Sequence, residues 1–146
     1  MRRGTKAQRH EGTKAKKEKL MGTIRTHRDL IAWQKGMTLS KAIYTATQRM
    51  PEEERFGLTN QMRRAAVSVP SNIAEGYALE TRMSYLRYLR ISRGSLAELS
   101  TQWELTIQLN MLSPDPMIQS LLEETDRVLQ GLIRGVQNSK PRHPPQ

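Results

Sequence analysis

Residues 68–76 read SVPSNIAEG, and the proline among them decides how the chain is understood. Leu58, Met62, Ala65, Val69 and Ile73 recur at steps of four, three, four and four. That is the spacing of one helix face. Pro70 falls inside the row. A mid-helix proline removes the amide that would bond the Ala66 carbonyl, and its ring crowds that same carbonyl, at a cost of about 3 kcal/mol. The apolar row continues past it, so the sequence predicts a helix with a kink or short break near residues 69–71. Ser68 and Ser71 can offer hydroxyls beside the break. Asn72 and Glu75 have the spacing of a capping box that would restart the helix.

Working outward, three more helical patterns appear. The first covers residues 28–50, where Leu30, Trp33, Met37, Tyr44 and Thr47 follow helical spacing with Leu39, Ile43 and Ala46 beside them. Pro51 ends it, because proline disfavours helix in the residue before it. Pro51 with Glu52, Glu53 and Glu54 is expected to open the second helix, since proline suits a first turn and acids favour its positive end. Gly76 and the Glu80-Thr81 pair mark the next turn. The third pattern covers residues 81–111, about 46 Å of helix at 1.5 Å per residue. SPDP at residues 113–116 is a break. The fourth covers residues 116–136 through Ile118, Leu121, Leu122, Thr125, Val128, Leu129, Leu132 and Val136. No segment alternates as a strand does. The expectation is an all-α, antiparallel up-down-up-down four-helix bundle. With one Phe and two Trp, its core is mostly Leu, Ile, Met and Ala.

Charge divides the chain. Residues 1–28 hold ten Lys or Arg against two acids, net +8, whereas residues 29–146 hold fourteen against twelve, net +2; together they make the +10 of the whole. Residues 1–26 have little to bury and are expected to be a disordered basic tail, residues 27–138 the bundle, and residues 139–146, ending PRHPPQ, a second disordered tail. GTKA at residues 4–7 recurs at 12–15, and if that repeat comes from repetitive DNA upstream of the gene, Met21 is expected to be the original start.

Several chemistries lack their residues. There is no cysteine, which excludes disulfides and thiolate sites and fits a reducing compartment. No apolar run approaches the roughly 20 residues of a spanning helix, so a cytoplasmic protein without a membrane partner is expected. His10, His27 and His143 lie at or beyond the ends of the bundle, so neither inward Glu-x-x-His pairs nor zinc sites are expected. No Gly-rich phosphate loop occurs. Gly94-Ser95 has no histidine placed as base. No enzymatic activity and no cofactor are expected.

The binding candidates are on helix faces. Arg82, Arg87, Arg90 and Arg93 fall within about a 140° arc at 100° per residue. Tyr85, Leu89, Leu96, Leu99 and Trp103 hold a separate arc, and no acid lies between Thr81 and Ala97. Guanidinium forks match phosphate geometry, so these four and Arg63 are candidate nucleic-acid contacts; a solvated face with intersubunit salt bridges to Glu52–Glu54 or Glu123–Asp126 is the competing reading. Gln61, Arg64, Ser68, Asn72 and Glu75 form a polar row, and Ser95, Glu98 and Gln102 form another. The two rows are expected to meet as a structural network, within the bundle or between subunits. Gly94, about 1 kcal/mol worse than Ala in a helix, suggests a close backbone approach.

GLTNQMRRAAVSVPSNIAEG at residues 57–76, with LRISRGSLAELSTQWELTIQLNML at 89–112, resembles the four helix bundle protein family over about residues 29–136. Its members include proteins encoded in intervening sequences of bacterial large-subunit ribosomal RNA genes. Related proteins are accessory variability determinants of diversity-generating retroelements, which work with a reverse transcriptase. The resemblance implies a four-helix bundle assembled as a homopentamer with a positively charged surface or channel, associating with RNA or DNA rather than catalysing a reaction. Ser92 departs from it, standing where alanine is usual. Two functions stand side by side: a nucleic-acid-binding accessory protein, or a protein-interaction scaffold with no direct nucleic-acid role.

Overall fold

The computed structural model describes residues 23–139. The expectations for residues 1–22 and 140–146, including the alternative start, lie outside the described residues. Four helices follow one another: α1 (Ile31–Thr47), α2 (Leu58–Ala78), α3 (Arg82–Gln108) and α4 (Pro116–Gln137). Among the described residues there is no strand. Each helix packs on its neighbours in sequence, and α1 also packs on α4. Side-chain pairings run in opposite directions along each neighbouring pair: Ser40 meets Ala66 and Arg63 meets Thr47, while Arg93 meets Asp126 and Arg82 meets Ser139. This is the antiparallel up-down-up-down bundle.

Local chemistry sets the ends. Thr26 and Asp29 form a reciprocal capping box over a 3-10 turn, His27–Asp29, so residues 23–26 include the start of the folded unit. Arg25 and Thr26 donate backbone N–H groups to Asp29 and hold its carboxyl below the usual range. Pro51 does not open α2. It precedes a separate 3-10 turn, Glu52–Glu54, and Glu54 Oε2 accepts from the Leu58 amide at 2.9 Å. The carboxylate thus serves the positive end of α2 from outside the helix. Glu80, at φ 64°, turns the chain into α3, where Thr81 Oγ1 accepts from Ser84 N at 3.2 Å. Asp115 caps α4, whose first residue is Pro116. Gly76 is not at the turn. It lies inside α2, where a Cβ would come within 2.8 Å of Tyr88 Cβ on α3. That close approach, rather than a bend, requires the glycine.

The core is aliphatic. Leu39, Ile43, Met62, Val69, Ile73, Leu89, Leu99 and Leu129 are fully enclosed, each contributing about 1.5–3 kcal/mol by burial. Tyr85 packs edge-on against Tyr77, and burial, then the Tyr77 phenol, pushes its hydroxyl up to about 12.

The expected break at Pro70 is absent. α2 is helical without interruption from Leu58 to Ala78. Two neighbours explain this. Gly36 of α1 leaves room for the ring: a Cβ there would meet Pro70 atoms at 3.3 Å. Ser40 of α1, one turn on, directs its hydroxyl to the Ala66 carbonyl at 2.9 Å. That carbonyl is the one the missing amide leaves without its helical partner. Ser40 also approaches the Gly36 carbonyl at 2.8 Å, so its proton is shared. From the other side, Ser92 of α3 donates to the Val69 carbonyl at 2.8 Å. Asn72 does not restart the helix; its amide donates back to the Ser68 carbonyl and hydroxyl.

Ser40→Ala should destabilise the protein by about 1–3 kcal/mol, the cost of leaving a buried acceptor unmet. In a Pro70→Ala background the restored amide serves Ala66, and the same change should cost under about 1 kcal/mol. Urea unfolding of the four proteins measures this coupling, and equal costs in both backgrounds would refute it. Lys35 Nζ lies 2.6 Å from Glu124 Oε1, and this hydrogen bond and charge hold the Glu124 carboxyl low. Carboxyls lowered in the fold contribute stability above the unfolded carboxylate range and lose it as pH falls through the folded value. The Lys35→Ala variant should therefore lose less melting temperature than its parent on acidification below about pH 4.

Candidate nucleic-acid interface

α3 turns its apolar arc inward through Leu89, Leu96, Leu99 and Trp103. Arg82, Arg87, Arg90 and Arg93 are consequently all exposed. Arg90 and Arg93 line a groove of about 790 Å³ between α3 and α4. Arg93 Nε sits 3.3 Å from Asp126 Oδ1 of α4. Arg82 Nη1 donates to the Ser139 carbonyl at 2.7 Å. Arg87 and Arg90 make no ion pair among the described residues. Of the four guanidiniums, that of Arg93 is paired with an acid, within the chain rather than across subunits, and the other three are not.

Arg134 of α4 faces the same groove and is exposed. Sequence reasoning missed it because α4 was judged by its apolar row alone. Antiparallel pairing supplied the clue, since the last turns of α4 must lie beside the first turns of α3. The groove is graded in charge. Arg90 and Arg134 stand toward the end where Arg82 meets Ser139. Glu123 and Asp126 lie further along α4. Gly94 lines this groove, and among the described residues nothing beyond its chain neighbours and own helix backbone lies within 4 Å of an added Cβ. The expected close approach at Gly94 is therefore not made by any of the described residues.

Arg63 is elsewhere. It is half-buried at the α1/α2 seam, with Nε donating to Thr47 Oγ1 at 2.9 Å and its guanidinium 4.7 Å from the Tyr44 ring centroid. It shares no surface with the α3 arginines.

The polar rows meet in part. Ser68 and Ser95 hydroxyls lie 2.8 Å apart, and Asn72 donates to Ser68 Oγ at 2.8 Å. Gln102 donates to Glu98 within α3, and its own Oε1 is buried without a partner. Gln61, Arg64 and Glu75 are exposed and have no part in the Ser68–Ser95 contact. The network is thus a compact α2/α3 junction of Ser68, Asn72, Ser92 and Ser95. Among the described residues no group of three or more His, Asp or Glu side chains gathers to hold a metal. None of the helices is long and apolar enough to cross a membrane, again among the described residues.

These features define an all-α four-helix bundle with a serine-rich α2/α3 junction and an arginine-edged groove on its α3/α4 side. The chain belongs to the family of 23S rRNA-intervening sequence proteins, whose family model matches residues 28–134. No curated protein matches the chain.

Ser95→Ala should cost about 0.5–1.5 kcal/mol, the ordinary range for one hydrogen bond. The loss should be smaller than for Ser40→Ala, because Asn72 still serves Ser68. Denaturant unfolding of both variants gives the comparison, and the reverse order would contradict it.

Proposed function

We propose that the protein is a non-enzymatic nucleic-acid-binding accessory protein that holds RNA, or an RNA–DNA intermediate, by phosphate contacts along α3. The carrying observation is the exposed run of Arg82, Arg87 and Arg90, joined across the groove by Arg134, with no acid on α3 before Glu98. Guanidiniums on a helix face set affinity through the backbone and carry little sequence choice. The basic residues of the first 28 positions add to the same attraction. The reading includes a homo-oligomer, taken as the pentamer that the family resemblance implies, in which repetition of a weak phosphate-binding face raises effective strength. Assistance to a retroelement reverse transcriptase is its most specific form. A cytoplasmic setting and the absence of enzymatic activity complete it.

A second reading, a protein-interaction scaffold, is favoured by the large apolar side chains left at the surface, among them Met37 and Val67, 40% and 43% exposed.

The test replaces Arg87, Arg90 and Arg93 with Gln, a good helix former. Circular dichroism and sedimentation should match the parent. Affinity for unrelated single-stranded RNAs should fall together. The slope of log affinity against log salt should become shallower by about 2, or less if Asp126 keeps Arg93 from RNA. The measurement is made with the first 22 residues present and removed, since their charge can mask the change. Unchanged RNA affinity at several salt concentrations in both forms would show that α3 is not the binding face.

A further inference from the structure

A second groove lies on the opposite edge of the bundle, between α1 and α2. It measures about 640 Å³ and is lined by Trp33, Met37, Tyr44, Val67, Pro70 and Ala74. Met37, Tyr44 and Val67 are each 40–44% exposed. Ser40 also borders the groove, but its hydroxyl is committed to backbone carbonyls. The walls are therefore aromatic and aliphatic, and a large apolar side chain entering from outside is stabilised there as it is in a core.

The chain carries such a side chain with little to cover it. Phe56 is its single phenylalanine and is 85% exposed. The turn beneath it is firmly built. The Gly57 amide donates to the Glu54 carbonyl at 3.0 Å, and the Glu54 carboxylate accepts from the Leu58 amide. The Arg55 guanidinium lies 5.5 Å from the ring centroid. A ring on a braced turn has two rotatable bonds and loses little freedom when it docks. Met83 is 84% exposed, but its flexible side chain has more freedom to lose. Phe56 does not reach the groove of its own chain. Its turn is tied to Leu58, the first residue of α2, and Val67 stands about 14 Å further along that helix.

Charge on the described residues agrees with a pairing between copies. Glu52 and Glu53, beside Phe56, are exposed and make no ion pair among those residues. Lys41 lines the groove and no Asp or Glu does. Residues 23–139 hold fourteen Lys or Arg against twelve acids, net +2, so two folded units approach without strong repulsion. We propose that Phe56 of one copy docks in the α1/α2 groove of a second copy, with Glu52 and Glu53 toward Lys41. The ring and the groove are different surfaces. Each copy thus gives one contact and receives another, and the assembly is head-to-tail, a ring or a filament. This inference rests on the homo-oligomer of the proposed function and names the surfaces that build it.

Sedimentation velocity of the full chain at rising concentration tests it. Phe56→Ala and Val67→Glu, both at exposed positions, should keep the circular dichroism spectrum. Each should weaken self-association at least about tenfold, the worth of one buried apolar anchor. The Arg87, Arg90 and Arg93 triple Gln variant should assemble as the parent does. The decisive measurement mixes the two single variants. Phe56→Ala keeps the groove and Val67→Glu keeps the ring, so together they should form 1:1 pairs that grow no further and that neither forms alone. An assembled parent indifferent to either substitution would overturn the docking while leaving the homo-oligomer standing. If Val67→Glu assembles normally but loses RNA affinity or a partner protein, the groove belongs to that ligand and the docking is again overturned. Loss of assembly in both variants with no 1:1 pairs in the mixture rules out the head-to-tail contact. A parent that stays monomeric at every concentration overturns the docking and the homo-oligomer together.

Discussion

The Ser40 hydroxyl on the Ala66 carbonyl is the contact that lets the bundle contain Pro70. Without it, α2 would carry a buried acceptor at its middle, where water cannot reach. With it, α2 remains one unbroken helix of 21 residues. The register of α1 on α2 follows, because Gly36 and Ser40 must sit one turn apart beside the ring and the carbonyl. Ser92 repeats the arrangement from α3 at the neighbouring carbonyl. Three helices are thus set against one another by hydroxyl-to-backbone bonds whose geometry is far narrower than that of aliphatic packing.

That seam also divides the surface into unlike halves. Where α1 and α2 approach closely, the side chains at the outer edge are apolar and large. Where α3 and α4 face each other, Gly94, Ala97 and Ser100 leave an open trough edged by arginines. α2 and α3 share the most extensive contact of the bundle, with Gly76 against Tyr88 and Ser68 against Ser95. The α2/α3 pair therefore presents one apolar and one basic surface on opposite sides.

The number, order and inward faces of the helices were legible because apolar residues at 3.6-residue spacing leave few alternatives. Leu58, Met62, Ala65, Val69 and Ile73 needed no partner to be read. What failed depended on a partner. The effect of Pro70 is decided by Gly36 and Ser40, some thirty residues earlier on another helix. Gly76 looks like punctuation until Tyr88 is beside it. Pro51 and its three acids fit a first turn equally well whether it belongs to α2 or stands apart, and Glu54 reaching back to Leu58 decides for the latter. At the candidate site, the α3 arginines could be placed from their own helix. Arg134 required knowing which turns of α4 lie beside which turns of α3, and so did the placing of the Arg93–Asp126 pair within the chain rather than between subunits.

Pro70 and Ser40 bear on how this sequence can drift. The serine is needed only while the proline is there. A lineage that first replaces the proline frees Ser40 to vary, whereas one that first loses the serine passes through a weakened protein. The order of the two steps is therefore not symmetric. A third position, Gly36, is not released by the same step: of the three residue-70 atoms that a Cβ there would meet at 3.3 Å, only Cδ leaves with the proline, while N and Cβ stay. The proline thus acts as a ratchet on one residue of a different helix, and sequence variation at position 40 should open only in chains that have already lost it.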